Sequence, residues 1–331
     1  MNRAAAIDRF LAATGWDGAR QEPLPSDASF RRYVRLSAGP RRALLMDAPP
    51  PREDVRPWLA VARHLNALGL SAPRVEAADV ENGLLLIEDF GDDTYTRLFA
   101  AGRSEGPLYA LAIDVLAALR RHERATALGL PPYDERRLLD EVLLLTDWYL
   151  PAIRGAATPE PVRASYLDAW KQVLPAARGV PDTLVLRDYH VDNLMLLPDR
   201  DGIAACGLID FQDALIGPVS YDLVSLLEDA RRDIDPGLVA ALRARYLAAM
   251  PEIDPEALDR SCAILGAQRH AKVIGIFTRL HRRDGKPVYL KHIPRVWRLL
   301  EGSLRHPALA PVRAWADIHI PPPDRRTPDL L

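Results

Sequence analysis

Asp188, Asn193 and Asp210 are the residues of this chain whose types and spacing can do chemistry. They lie in the segment Leu-Val-Leu-Arg-Asp-Tyr-His-Val-Asp-Asn-Leu-Met-Leu-Leu, residues 184–197, and in Gly-Leu-Ile-Asp-Phe, residues 207–211. Phosphoryl transfer needs one carboxylate to orient the attacking hydroxyl and accept its proton. It also needs oxygen ligands that hold Mg2+ against the phosphates of ATP. Asp188 suits the first task, Asn193 and Asp210 the second. Mg2+ takes hard oxygen ligands and keeps several waters, so two protein oxygens suffice beside the phosphates. Any one of these residues alone reads equally as a turn residue. Their joint placement between apolar runs favours the chemistry.

Rigid backbone must hold them. Residues 184–186, 194–197 and 206–209 read as buried strands. Pro198-Asp199-Arg200-Asp201-Gly202 reads as a turn. Asp188 and Asn193 then share one loop and Asp210 ends a following strand, the order in which protein kinases place base and metal ligands.

The first ninety residues read as a sheet with helices. Residues 2–14 form a helix with Ile7, Phe10 and Leu11 on one face. Residues 30–36 and 43–46 pair about Ala38-Gly39-Pro40, either an ordinary hairpin with a basic exposed face or, in a kinase, the one that would cover the nucleotide phosphates. It lacks a glycine-rich loop, although Ser26, Ala28 and Ser29 are small enough for backbone amides to approach phosphate. It also lacks a strand lysine, since Met46 or Asp47 occupies that position. Arg31 or Arg32 can supply the missing cation. Adjacent strand residues face opposite ways, so only one reaches the nucleotide. Arg32, on the face of Phe30, is the expected one, with Arg31 toward solvent. Residues 55–68 read as a helix and 73–78 and 83–87 as strands. Glu88-Asp89-Phe90-Gly91 follows, a turn after a buried strand that in a kinase-like architecture would be the hinge meeting adenine.

Beyond residue 92 the pattern is helical, over 107–123, 134–150, 160–174, 236–250, 255–278 and 293–303. The Pro-rich tail, 307–331, reads as an irregular strap. Arg269 and Lys272 are three apart on one helical face, either a solvated basic face or the place where an anionic substrate is met. The net charge of −2 offers no footprint for nucleic acid or an anionic membrane. Cys206 and Cys262 sit in apolar runs and read as buried thiols, neither a disulfide nor a metal site. With no leader and no long apolar run, a soluble cytoplasmic protein without an obligate protein partner is expected.

The central segment resembles the aminoglycoside phosphotransferase and choline kinase superfamily, whose loop reads His-Gly-Asp-x-His-x-x-Asn before Ile-Asp-Phe/Trp. Asp188, His190, Asn193, Ile209, Asp210 and Phe211 match; Leu186 and Arg187 stand where that family usually has His and Gly. Four stretches, Ser26–Tyr33, Leu45–Pro50, Ile209–Ala214 and Gln268–Phe277, together resemble the bacterial anomeric N-acetylmuramate/N-acetylglucosamine kinases.

The resemblance implies an α+β, two-lobed, protein-kinase-like fold. A β-rich N-lobe (1–90) and a helical C-lobe (91–331) would flank the active site. It implies ATP- and Mg2+-dependent phosphorylation of a sugar's C1 hydroxyl in peptidoglycan recycling. Asp188 would be the base, Asn193 and Asp210 the metal ligands. His190 and Asp222, the latter in a Pro-x-x-Tyr-Asp-Leu setting, would brace the loop. Ser29, Arg32, Glu88 and Phe90 are the expected nucleotide contacts, and Asp213, Arg269 and Lys272 the acceptor contacts. Two rivals are a kinase of the same fold acting on an aminoglycoside or amino alcohol, and a non-catalytic nucleotide-binding protein.

Overall fold

The computed structural model describes residues 2–25 and 30–329. The chain divides into two compact units, Met1–Gly129 with Val191–Ala214, and Leu130–His190 with Leu215–Leu331. These differ in extent from lobes drawn at residue 90: residues 91–129 and the hairpin carrying Asn193 and Asp210 also fall in the first unit.

In the first unit α1 (Arg3–Ala13) is capped by the Asn2 side chain, which accepts the Ala4 N–H. Five strands, β1 (Arg20–Pro23), β2 (Arg32–Ala38), β3 (Arg41–Asp47), β4 (Val75–Asp79) and β5 (Leu84–Ile87), form one antiparallel sheet in the order β1-β2-β3-β5-β4. β1 was not expected, since Arg-Gln-Glu-Pro offers no apolar alternation. Phe10 and Leu11 of α1 pack with Trp16 on Leu36, Ala43, Leu45, Leu84 and Leu86, and Val34 lies against them. This fixes the faces of β2. Val34 and Leu36 point to α1, and Tyr33 and Arg35 point the other way. The unit also holds α2 (Val55–Ala67), α3 (Tyr95–Ala100) and α4 (Glu105–Arg121).

The second unit contains β6 (Asp182–Val185), and α5 (Glu135–Leu144) runs through a π turn, Leu145–Tyr149, into α6 (Leu150–Arg154), where one continuous helix was expected. α7 (Glu160–Val173) follows. Returning to the first unit, β7 (Leu194–Leu196) and β8 (Cys206–Leu208) pair antiparallel. In the second unit β9 (Leu215–Pro218) pairs with β6, and α8 (Ser220–Leu227), α9 (Pro236–Ala249), α10 (Pro255–Asp284), α11 (Ile293–Ser303) and α12 (Ala310–His319) complete the chain. α10 is the axis of this core: Ile264, Leu265, Ala271, Ile274 and Phe277 pack with Tyr149, Trp170 and Trp297.

α12 corrects the expected irregular tail. Val312, Trp315 and Ala316 make a buried stripe, and the Trp315 ring lies 4.3 Å from that of Tyr166 in α7. Pro311, which made the tail look irregular, falls at the start of the helix, where a missing N–H costs nothing. Among the described residues no helix is long and apolar enough to cross a membrane.

Candidate active site

In the first unit, register builds one corner of the site. Leu194 pairs with Leu208, and the Ile209 N–H donates to the Asn193 carbonyl at 3.2 Å. Asn193 and Asp210 therefore stand together at one end of the β7–β8 hairpin. Asp210 has φ 59°, a left-handed conformation that costs a non-glycine residue on the order of 1–2 kcal/mol. Its neighbour Phe211 is buried, its ring 5.3 Å from Trp58, while the Asp210 side chain stays 46% exposed. A buried anchor beside a turned backbone thus presents a carboxylate outward. Asp210 Oδ1 accepts from Gln212 Nε2 at 3.0 Å and lies 3.6 Å from Arg31 Nη2. One amide and one carboxylate, both hard oxygen donors, fit a Mg2+ ion that phosphates and water complete. Among the described residues no three His, Cys, Asp or Glu side chains gather as an all-protein metal site.

β2 faces this corner with Tyr33 and Arg35, and Arg31, just before it, continues the same face. Arg31 sits near Asp210 and 3.8 Å from Glu53. Burial pushes the Tyr33 hydroxyl up to about 12, against the lowering influence of Arg31. Arg35 is held bidentately by Asp89 at 2.6 and 3.0 Å and meets Asp92 at 3.0 Å. The expectation set Arg32 toward the nucleotide and Arg31 toward solvent; here the Arg32 side chain is exposed, and Arg31 is the arginine beside Asp210. Alternation held, but the faces were assigned from Phe30, itself 58% exposed, rather than from Val34 and Leu36, which pack on α1. Ser29 lies outside the described residues.

At the position of the absent lysine Met46 is buried, and the Asp47 carboxylate accepts from Arg3 Nε at 2.8 Å. The Glu88 carboxylate accepts from Arg74 at 3.1 Å and from Arg200, and its N–H donates to the Arg74 carbonyl. Phe90 packs with Met195, Leu197 and Ile209. It lies so close to Gly207 that a Cβ there would sit 2.9 Å from the ring. Asp213 is exposed and accepts from Gln212 at 3.2 Å.

The Asp188 loop belongs to the second unit. Beyond β6 the N–H groups of Leu186 and Arg187 donate to Asp222 Oδ2 and Oδ1 at 2.6 and 2.9 Å. Asp222 is buried in the first turn of α8; burial pushes its pKa up to about 7, against the pull of those two N–H bonds. Arg187 has φ 71°. Its guanidinium donates to Glu141 of α5 and lies 5.5 Å from the Tyr133 ring. The same Glu141 accepts from Lys272 Nζ at 3.0 Å, from Gln268 Nε2 at 3.0 Å and from the Tyr133 hydroxyl. Lys272 also donates to the Tyr221 hydroxyl at 3.3 Å.

Burial alone would raise the Asp188 carboxyl, but Lys272, His190, Arg269 and Arg187 outweigh it and hold it below the ordinary carboxylate value. Asp188 is therefore ionised at neutral pH. Burial pulls His190 below its ordinary value, helped by Arg231, whose Nη1 is 3.5 Å from Nε2. Arg269 is 4% exposed, and its Nη1 is buried without a hydrogen-bond partner among the described residues. Glu141 and Arg187 were not among the expected site residues, and Arg31 was only the alternative to Arg32. One signal was available: Glu141 lies on the stripe Leu138, Val142, Leu145, a carboxylate on an otherwise apolar helix face.

The phosphotransferase enzyme family matches residues 20–258. An N-acetylmuramate/N-acetylglucosamine kinase of Caulobacter vibrioides is 39% identical, over 98% of both chains. One of Pseudomonas aeruginosa is 40% identical, over 92% of this chain and 91% of its own. In fold, the chain is similar to a choline/ethanolamine kinase family protein from Mesorhizobium loti, with TM-score 0.62, 16% identity and coverage of 95% and 100%. An ADP-bound aminoglycoside phosphotransferase gives TM-score 0.59 at 17% identity, covering 90% of this chain and 97% of its own.

Proposed function

The chain belongs to the phosphotransferase enzyme family, and from that premise we propose that it transfers the γ-phosphoryl group of ATP to the C1 hydroxyl of N-acetylmuramate or N-acetylglucosamine. The observation that carries the sugar is the identity of 36–40% with four kinases of that name, over most of each chain. One geometric feature supports it. N-acetylmuramate is a carboxylate, and Arg269, on the helix that also carries Lys272, holds a buried N–H without a partner among the described residues. An aminoglycoside or amino alcohol, being a cation, would call for carboxylates there instead. With ATP as donor, the reaction belongs to the cytoplasm and to the recycling of cell-wall sugars.

The first unit supplies the nucleotide contacts: the hinge at Glu88 and Phe90, the cation from Arg31, and the oxygens of Asn193 and Asp210. Mg2+ bound to those oxygens would neutralise phosphate charge. Asp188, in the loop leading into Asn193, orients the sugar hydroxyl and accepts its proton. An anomeric hydroxyl is more acidic than an ordinary alcohol, so a carboxylate with a low pKa is base enough. Positioning carries most of the rate. Asp222 and His190 brace that loop, and Asp213 is a further acceptor contact.

Purified protein should release ADP with MgATP and either amino sugar, and not with aminoglycosides or choline. Asp188→Asn should keep ATP binding and lose about a hundredfold or more in kcat, the scale of a positioned base. ADP release with the cationic acceptors instead would overturn the sugar assignment, and near-normal kcat in the variant would remove Asp188 from the mechanism.

A further inference from the structure

The residue before Asp188 is held in an unusual way. Arg187 adopts φ 71° while its backbone N–H is taken by Asp222 and its guanidinium by Glu141. A side chain rarely adopts that region unless the surroundings over-determine it, and such outliers gather at functional sites. Here the over-determination comes from two directions. Asp222 fixes the backbone from α8, and Glu141 fixes the side chain from α5. Glu141 is itself held by Lys272 and Gln268 of α10 and by the Tyr133 hydroxyl. Its oxygens are thus saturated by donors, two of them the cations Arg187 and Lys272.

We infer that Glu141 is a positioning residue for catalysis: by clamping Arg187 in the left-handed conformation it sets the direction in which Asp188 projects. The inference rests on the reading of Asp188 as the base. Glu141 touches no reacting atom; it acts through Arg187. Glycine holds a positive φ without any clamp. The clamp should therefore matter only while residue 187 carries a side chain.

The test is a cycle of Glu141→Gln and Arg187→Gly, with Arg187→Ala beside it. The readouts are kcat and KM with MgATP and N-acetylmuramate, and hydrogen exchange at the Leu186 and Arg187 amides. Glu141→Gln alone should lower kcat about thirtyfold, leave KM for ATP within twofold, and speed exchange at both amides about tenfold. In the Arg187→Gly background the same substitution should change kcat by less than about threefold and exchange hardly at all. Equal losses in both backgrounds would mean that Glu141 acts elsewhere, and the inference would be wrong. It would also be wrong if Glu141→Gln loosened the amides without lowering kcat.

Should Glu141→Gln not fold, the two single variants at Arg187 decide. Both lose the clamp, but only Gly keeps the conformation freely, so Arg187→Ala should have about tenfold lower kcat than Arg187→Gly. Equal kcat would overturn the inference. A wild type inactive on both amino sugars, or an active Asp188→Asn, would instead overturn the reading of the site. The amide-exchange cycle would still report whether Glu141 grips the loop.

Discussion

Arg31 and Arg32 show how much hangs on one strand face. The phosphates of ATP carry several negative charges, and no strand lysine is present to meet them. Arg31 lies 3.6 Å from Asp210, a proposed metal ligand, whereas Arg32 is exposed. Arg31→Ala should therefore lower kcat/KM for ATP about tenfold more than Arg32→Ala, a difference of about 1.4 kcal/mol. Steady-state kinetics with varied MgATP measures it; equal effects would place the phosphate cation elsewhere. Arg31 also lies 3.8 Å from Glu53, so its loss leaves both carboxylates without that cation.

At the scale of elements, the contact between α5 and α10 organises the second unit. Leu138 and Glu141 meet Gln268, Glu141 meets Lys272, and Leu144 meets Gly275, so the two helices run side by side in the same sense here. Gly275 permits that approach: a Cβ at this position would lie 2.3 Å from the Leu144 carbonyl carbon. Backbone cannot yield as a flexible side-chain tip can. Gly275→Ala should cost about 1–3 kcal/mol, the usual scale of overpacking. Because the shift would also pull Lys272 from Glu141, kcat should fall with stability. Thermal unfolding and activity on the same sample check this, and an unchanged melting temperature would show that the helices separate freely. The π turn after Leu144 was not legible, since the apolar spacing of residues 134–150 continues through it. α12 was hidden by proline, and β1 by its charge.

At the scale of the whole molecule, a ligand that binds only the folded state must stabilise it. MgATP at a hundred times its dissociation constant should add about 2.7 kcal/mol. A rise of several degrees in melting temperature is expected, cancelled by EDTA if the metal is required. No shift with MgATP would contradict nucleotide binding outright.

What the amino-acid sequence determined by itself is the chemistry carried on short stretches of backbone. Asp188 and Asn193 share one loop, Asp210 follows a strand, and both strands flanking the turn are short apolar runs. Those relations depend on neighbours in sequence, and residue types declare them. The helices with unbroken apolar periodicity were legible for the same reason. Only the tertiary structure decided which arginine faces Asp210. That depends on which side of β2 meets α1, and strand alternation is symmetric until a partner surface is known. It alone also revealed that Arg187 holds a positive φ and that one carboxylate, Glu141, binds Arg187 46 residues away and Lys272 131 residues away. A buried ion cluster is assembled from distant segments by packing. Each member, read alone along the chain, is an ordinary charge on a helix or loop.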